Sequence, residues 1–303
     1  MKFFYHKLGK GNHLAEQWLD ETANRNPLKR PAIVAFFGLS TRNHPADLKK
    51  EQVSQVRAFY ESSDSINRKN TFIAVIAKGH VWILQPDGEI IERENNEGWS
   101  ENVNLLKIMP VKILAHKTIK DVPHVLASIN ANTFLSQGTY REIANWGNQK
   151  AICAVIGKDF PAEHWKLEEC TATQLLECLS STELETLVAK LFEAAGCFVP
   201  AHRGGVMVDA DLFAHNDSEE NIQLDTLVIP KKGSLSIQVK SGNAPKECPP
   251  EVDCLIALDV KQNKNCFDGE WLLNQVQKFQ EVKWWLRRSL NWLPEKILVH
   301  YGI

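Results

Sequence analysis

An amphipathic helical run closed by a glycine and followed by a series of β-patterned segments limits the folds open to this chain more than any other feature. Residues 171–196, TATQLLECLSSTELETLVAKLFEAAG, predict one or two helices ending at Gly196. A C-terminal cap needing positive φ costs least at glycine. Three strand candidates follow, VMVDADLFAH, NIQLDTLVIP and SLSIQVK, separated by the polar breaks NDSEE and KKG and predicted to form a meander. Beyond a Pro-rich loop, EVDCLIALDV predicts a fourth strand, EWLLNQVQKFQEVKWWLRRSLNWL one long helix, and KILVHYGI a last short strand.

The first 160 residues predict a separate mixed α/β unit. Residues 13–24 keep Leu14, Trp18 and Leu19 near one helical face, PAIVAFFGLS reads as a buried strand, and a helix is expected over residues 45–61. TFIAVIAKGHVWILQPDGEIIERE has turn chemistry at Lys78-Gly79 and at Pro86-Asp87-Gly88, which predicts a three-stranded meander. LLKIMPVKILAHK is another strand candidate, and short helices are expected near residues 123–130 and 140–146, before the apolar run AICAVIG. The Pro-containing stretch GKDFPAEHWKLEE then breaks the pattern, giving domains at 1–160 and 161–303. With 303 residues and 44% hydrophobic content, each can bury a core of its own.

No apolar run reaches the eighteen or so residues of a membrane span, and the N-terminus lacks the pattern of a signal peptide, so a cytoplasmic protein with no membrane partner is expected. The seven cysteines include no C-x-x-C pair, which argues against a disulfide framework or a zinc knuckle. With 35 basic and 37 acidic side chains, any hold on a polyanion must come from local patches.

The chemistry is concentrated around SLSIQVK. Its alternation puts Leu235, Ile237 and Val239 on one face and Ser236, Gln238 and Lys240 on the other. Asp225 sits between Leu224 and the apolar LVI, so it reads as embedded, and a carboxylate out of water must neutralise, pair with a cation or bind a metal. Thirteen residues separate Asp225 from Gln238, enough for a strand, a turn and a return strand that bring Asp225, Gln238 and Lys240 together. Oxygen ligands of this kind hold Mg²⁺ (or Mn²⁺), which polarises a phosphate and activates water, while a lysine balances charge.

QLDTLVIPKKGSLSIQVKSG resembles the D-x(n)-(E/Q)-x-K signature of the PD-(D/E)xK nucleases, and STELETLVAKLFEAAG resembles the first core helix of Mrr-like restriction endonucleases. The resemblance covers about residues 182–242. It implies a restriction-endonuclease-like α-β-β-β-α-β core and Mg²⁺-dependent endonucleolytic hydrolysis of DNA in restriction or anti-phage defence. It further implies Asp225, Gln238 and Lys240 as catalytic residues, the Val239 carbonyl as a metal ligand, and Glu185 as an acidic helper. Two features depart from the pattern: no proline precedes Asp225, and Gln238 is neutral where most members have glutamate.

Several alternatives stay open in the sequence. RGGVMVDADLFA also resembles the Mrr-like segment and would make Asp211 the metal-binding acid, with Asp209 beside it, at the cost of a 27-residue excursion to the lysine strand. Thr182 and Glu185 also fit a T-x-x-E capping box, a purely structural role. The tryptophan-rich helix around Trp284, Trp285 and Trp292 suits packing as well as base stacking. The N-terminal meander loosely resembles PUA-like folds, so Trp82, Trp99 or Trp146 could wall a pocket for a modified base. DNA, modified or not, is the expected partner and a homodimer the expected assembly. The rival readings are a nuclease-fold binding module without catalysis, an RNase, and a ligand-activated nuclease.

Overall fold

A computed structural model describes residues 1–9, 12–20, 26–35, 50–95, 105–129, 139–157, 170–200, 210–242 and 244–303. The chain is a mixed α/β protein that divides into two compact units, Met1–Phe160 and Pro161–Ile303. No helix among the described residues is long and apolar enough to cross a membrane.

Unit one is built on a curled mixed sheet. Its strands are β1 (Lys2–His6), β2 (Ala32–Ala35), β3 (Thr71–Ala77), β4 (His80–Pro86), β5 (Ile91–Glu94), β6 (Leu105–Thr118) and β7 (Tyr140–Glu142). They run in the order β2-β6-β4-β3-β1-β7, with β5 also paired to β6. Only β1 and β3 are parallel among these pairs. The β3 run TFIAVIA is buried throughout, as expected of a strand covered on both faces. Lys78 and Gly79 both take positive φ, +47° and +80°, which gives the two-residue turn that matches strand twist between β3 and β4. The meander expectation fails at its third strand, because β5 pairs with β6 and not with β4. Residues 140–142 form β7 against β1, where a helix was expected; Tyr140 is a core aromatic stacked on Phe4 at 4.6 Å. Among the described residues its α-helices are α1 (Ala15–Leu19), α2 (Lys50–Ser63), α3 (His124–Ala127) and α4 (Trp146–Ile156). Trp18, Phe59, Ile33, Ile73 and Leu84 meet in the core.

Unit two starts with α5 (Ala172–Leu176) and α6 (Ser181–Ala194). Leu184, Leu187, Val188, Leu191 and Phe192 are buried along α6, and Gly196 follows it with φ +100°. Next come β8 (Leu212–His215), β9 (Ile222–Leu224), β10 (Leu227–Ile229), β11 (Ser234–Lys240), β12 (Cys254–Ala257) and β13 (Cys266–Phe267). The main sheet has the order β13-β12-β11-β8, with β11 antiparallel to β8 and parallel to β12. The helix α6 packs against β8 and β11.

Three expectations for this unit need correction. NIQLDTLVIP is not one strand but the separate hairpin β9–β10, turning at Asp225-Thr226 because Asp225 takes φ +54°, a conformation aspartate tolerates better than most residues. The long tryptophan-rich helix is two, α7 (Gly269–Val276) and α8 (Gln280–Ser289), and the break carries no glycine or proline to announce it. KILVHYGI is not a strand. It belongs to helix α9 (Glu295–His300), entered through Pro294, with Ile297 and Leu298 buried and Val299 exposed. A proline fixed just ahead of a helix is well suited to start it.

Candidate functional site

Strand β11 has the expected alternation. Ile237 and Val239 are buried, while Gln238 and Lys240 are half-buried on the opposite face. Its antiparallel register with β8 pairs Phe213 with Ser236 and ends with Leu212 opposite Ile237, and Asp211 is the residue just ahead of β8. The Asp211 amide donates to the Ile237 carbonyl at 2.9 Å, which keeps Asp211 against β11 just beyond the end of β8. Gln238 and Lys240 project from the same face of β11, and the Asp211 carboxylate reaches Lys240 there.

The Asp211 carboxylate is held from two directions. Its Oδ2 accepts the Val239 amide at 2.7 Å and lies 3.5 Å from Lys240 Nζ. The Asp211 side chain is 14% exposed and that of Lys240 37% exposed. A lysine this open to solvent gives the ion pair at most about 1 kcal/mol, so stability alone does not account for the arrangement. The amide bond is the firmer constraint, because a backbone N–H donating to a carboxylate is charge-assisted and fixed by the strand. Within a strand a residue's N–H and C=O point to the same side. The Val239 carbonyl therefore faces the same edge as the Asp211 carboxylate.

Asp225, the acid that the nuclease resemblance implies, is not brought to this place. It is exposed at the tip of the β9–β10 hairpin, outside the four-stranded sheet, and lines a surface hollow with Gln262, Glu270, Asn274 and Lys278. The expectation that it is embedded beside Gln238 and Lys240 is corrected on that geometry. The objection to Asp211 was the 27-residue excursion, and the structure removes it. The Asn216 amide donates to the Gly233 carbonyl, and the Asn216 side chain donates to the Glu220 and Ile229 carbonyls. The hairpin is thus folded onto itself as an insertion between two strands that pair directly. Asp209, the companion considered for Asp211, lies outside the described residues.

Glu185 sits half-buried on α6, on the helical face shared with the buried Val188, Ala189 and Phe192. Its capping alternative is overturned: the box is formed by Ser180 and Glu183, whose carboxylate accepts the Ser180 amide at 2.9 Å. Thr182 instead leaves its carbonyl to the Thr186 hydroxyl. Of the tryptophans considered for a base pocket, Trp82 is 3% exposed and part of the core. Trp146 lies under Lys150 Nζ at 5.1 Å, and Trp99 lies outside the described residues.

Among the described residues no group of three or more His, Cys, Asp or Glu side chains could hold a metal. The donors gathered on the β8–β11 edge are one carboxylate, one side-chain amide and one backbone carbonyl. This all-oxygen set fits a hard divalent cation that keeps several of its own waters, as Mg²⁺ does. It does not fit a soft metal, and the cysteines do not add to it. Burial pushes the thiol of Cys197 up to about 11 and that of Cys153 up to about 12, and raises Cys254 as well.

No family model, curated protein or solved structure matches the chain. Function therefore has to be argued from the geometry of this edge and the chemistry of its groups.

Proposed function

We propose that residues 161–303 form a Mg²⁺-dependent endonuclease acting on DNA, with Asp211 in the role first given to Asp225, beside Gln238, the Val239 carbonyl and Lys240. One observation carries this reading: the Asp211 carboxylate is pinned by the Val239 amide and lies 3.5 Å from Lys240. The succession of α6, β8, β11, parallel β12 and α7 supports a restriction-endonuclease-like core. A role in restriction or anti-phage defence, with unit one selecting target or context, follows from the sequence resemblance and is part of the proposal.

A bound divalent cation would supply charge neutralisation at the phosphate and a water of lowered pKa. The chain's own contribution is pre-organisation. Asp211 is held before substrate arrives, so orienting it costs nothing during the reaction. Lys240, anchored by a buried backbone and half-open to solvent, can hydrogen-bond the attacking water or a phosphate oxygen. Glu185 does not serve the helix cap and remains the second carboxylate of the proposal.

The test is scission of supercoiled plasmid, single-stranded DNA and RNA by the full chain with Mg²⁺, with Mn²⁺ and with chelator, beside Lys240→Ala and Asp211→Asn. Cation-dependent cleavage of DNA, reduced at least about 100-fold in both variants, is expected for loss of a group that acts on the transition state. Undiminished cleavage in chelator, or equal rates in all three proteins, would refute the assignment. A second reading, a DNA-binding module without catalysis, draws on the neutral Gln238 and the single carboxylate pinned at the edge. Cation-independent binding with no scission in any condition would favour it.

A further inference from the structure

The β4–β6 pair of unit one carries two imidazoles that the proposed nuclease chemistry does not use. The register sets Trp82 opposite His116 and His80 opposite Thr118, so His80 and His116 are diagonal neighbours on one face. His80 Nδ1 and His116 Nε2 lie 3.1 Å apart. The His116 ring lies almost flat on the indole of Trp82, with centroids 4.7 Å apart and an interplanar angle of 13°. Because Trp82 is anchored in the core, it holds the His116 ring in place.

Two ring nitrogens this close either share a proton or share a cation. The separation suits the second option well. With each nitrogen about 2.05 Å from one ion, a 3.1 Å gap subtends about 98° at the metal, between the square-planar and tetrahedral angles. To close the chelate, each ring turns so that both lone pairs meet at one ion and not at each other. Neutral imidazole prefers borderline transition metals over Mg²⁺, which separates this place chemically from the all-oxygen edge of unit two. Burial and the neighbouring His80 lower the His116 pKa and so favour the neutral ring, with Asp20 acting in the opposite sense.

We propose that His80 Nδ1 and His116 Nε2 together bind one divalent transition-metal ion of the Zn²⁺, Ni²⁺ or Cu²⁺ class, with solvent completing the coordination. Such an ion links β4 to β6 and stabilises unit one by binding the folded form alone. The site does not depend on the nuclease reading.

The test is calorimetric titration of metal-stripped full chain with Ni²⁺ and Zn²⁺, paired with Cu²⁺ electron paramagnetic resonance, for the natural chain, His80→Gln and His116→Gln. With Mg²⁺ in excess to occupy the oxygen-lined edge of unit two, one ion per chain is expected, with two imidazole nitrogens in the Cu²⁺ spectrum. Each variant should weaken binding at least about tenfold and leave one nitrogen, since a lone histidine is a poor chelate. Glutamine keeps a hydrogen-bonding group at each place, and the circular dichroism spectrum checks that the fold is intact. Binding that both variants leave unchanged, or a spectrum with fewer than two imidazole nitrogens in the natural chain, would overturn the proposal.

Discussion

His6 makes unit one acid-sensitive by an amount that can be worked out. The ring is fully buried, donates from Nε2 to the Val34 carbonyl at 3.1 Å, and stacks on Phe59 and against Tyr140. Burial drives its pKa down from 6.5 to about 3, opposed in part by the carbonyls of Val34 and Thr139. The folded form therefore keeps His6 neutral while the unfolded form takes up a proton below 6.5. Stability is full above that value, falls as pH drops from 6.5 towards about 3, and levels off below. One pH unit inside this window costs about 1.4 kcal/mol, so moving from pH 7.5 to 5.0 removes about 2 kcal/mol through this one ring. His6→Gln keeps a donor for Val34 without a titrating group, and its loss over the same interval should be smaller by about 2 kcal/mol. The measurement is urea unfolding at each pH, read by a deuterium pulse at one common pH on peptides from β1 and β3, so that unit one is followed by itself. Equal pH dependence in the natural chain and His6→Gln would refute the reasoning. Overall destabilisation of the variant would not, because the comparison is between pH values within each protein.

Three further outcomes are expected. Asp225→Gly should leave the stability of unit two intact, whereas Asp225→Ala should cost about 1 kcal/mol in urea unfolding, since the turn needs positive φ; neither should alter cleavage. Ser180→Ala should cost about 1 kcal/mol through loss of the α6 capping box, read as a lower urea midpoint for peptides of unit two. With a thiol-reactive disulfide at pH 8, Cys197 should react about 100-fold more slowly than a small thiol, following its rise from 9.0 to about 11, and the half-buried Cys248 should be labelled first. Rapid labelling of Cys197 in the native chain would contradict the burial that raises it.

Much of the fold was legible where periodicity and turn chemistry agree. SLSIQVK alternates strictly and forms β11; Lys78-Gly79 turns as its residues demand; Gly196 follows the helix with positive φ. What the sequence did not disclose depends on which segments meet. NIQLDTLVIP has the composition of one strand, and only the positive φ at Asp225 makes it a hairpin that closes on itself. That local fold is why counting residues from Asp225 to Gln238 misled: separation along the chain says little once an insertion returns to its starting point. KILVHYGI is rich in β-branched residues, yet Pro294 and tertiary packing make it helical. The signal for Asp211 was present as an aspartate fifteen residues beyond Gly196, and the length of the excursion weighed against it. Glu185 shows the converse, because Thr182 and Glu185 fit a capping box by spacing while Ser180 and Glu183 form it.

The most direct test of the central claim compares Asp211→Asn with Asp225→Asn in one cleavage assay on plasmid with Mg²⁺, both proteins checked for a native circular dichroism spectrum. A rate lowered at least about 100-fold for the first, and unchanged for the second, is the expected result for a cation-binding carboxylate lost at the β8–β11 edge. An unimpaired Asp211→Asn, or a loss confined to Asp225→Asn, would contradict the account.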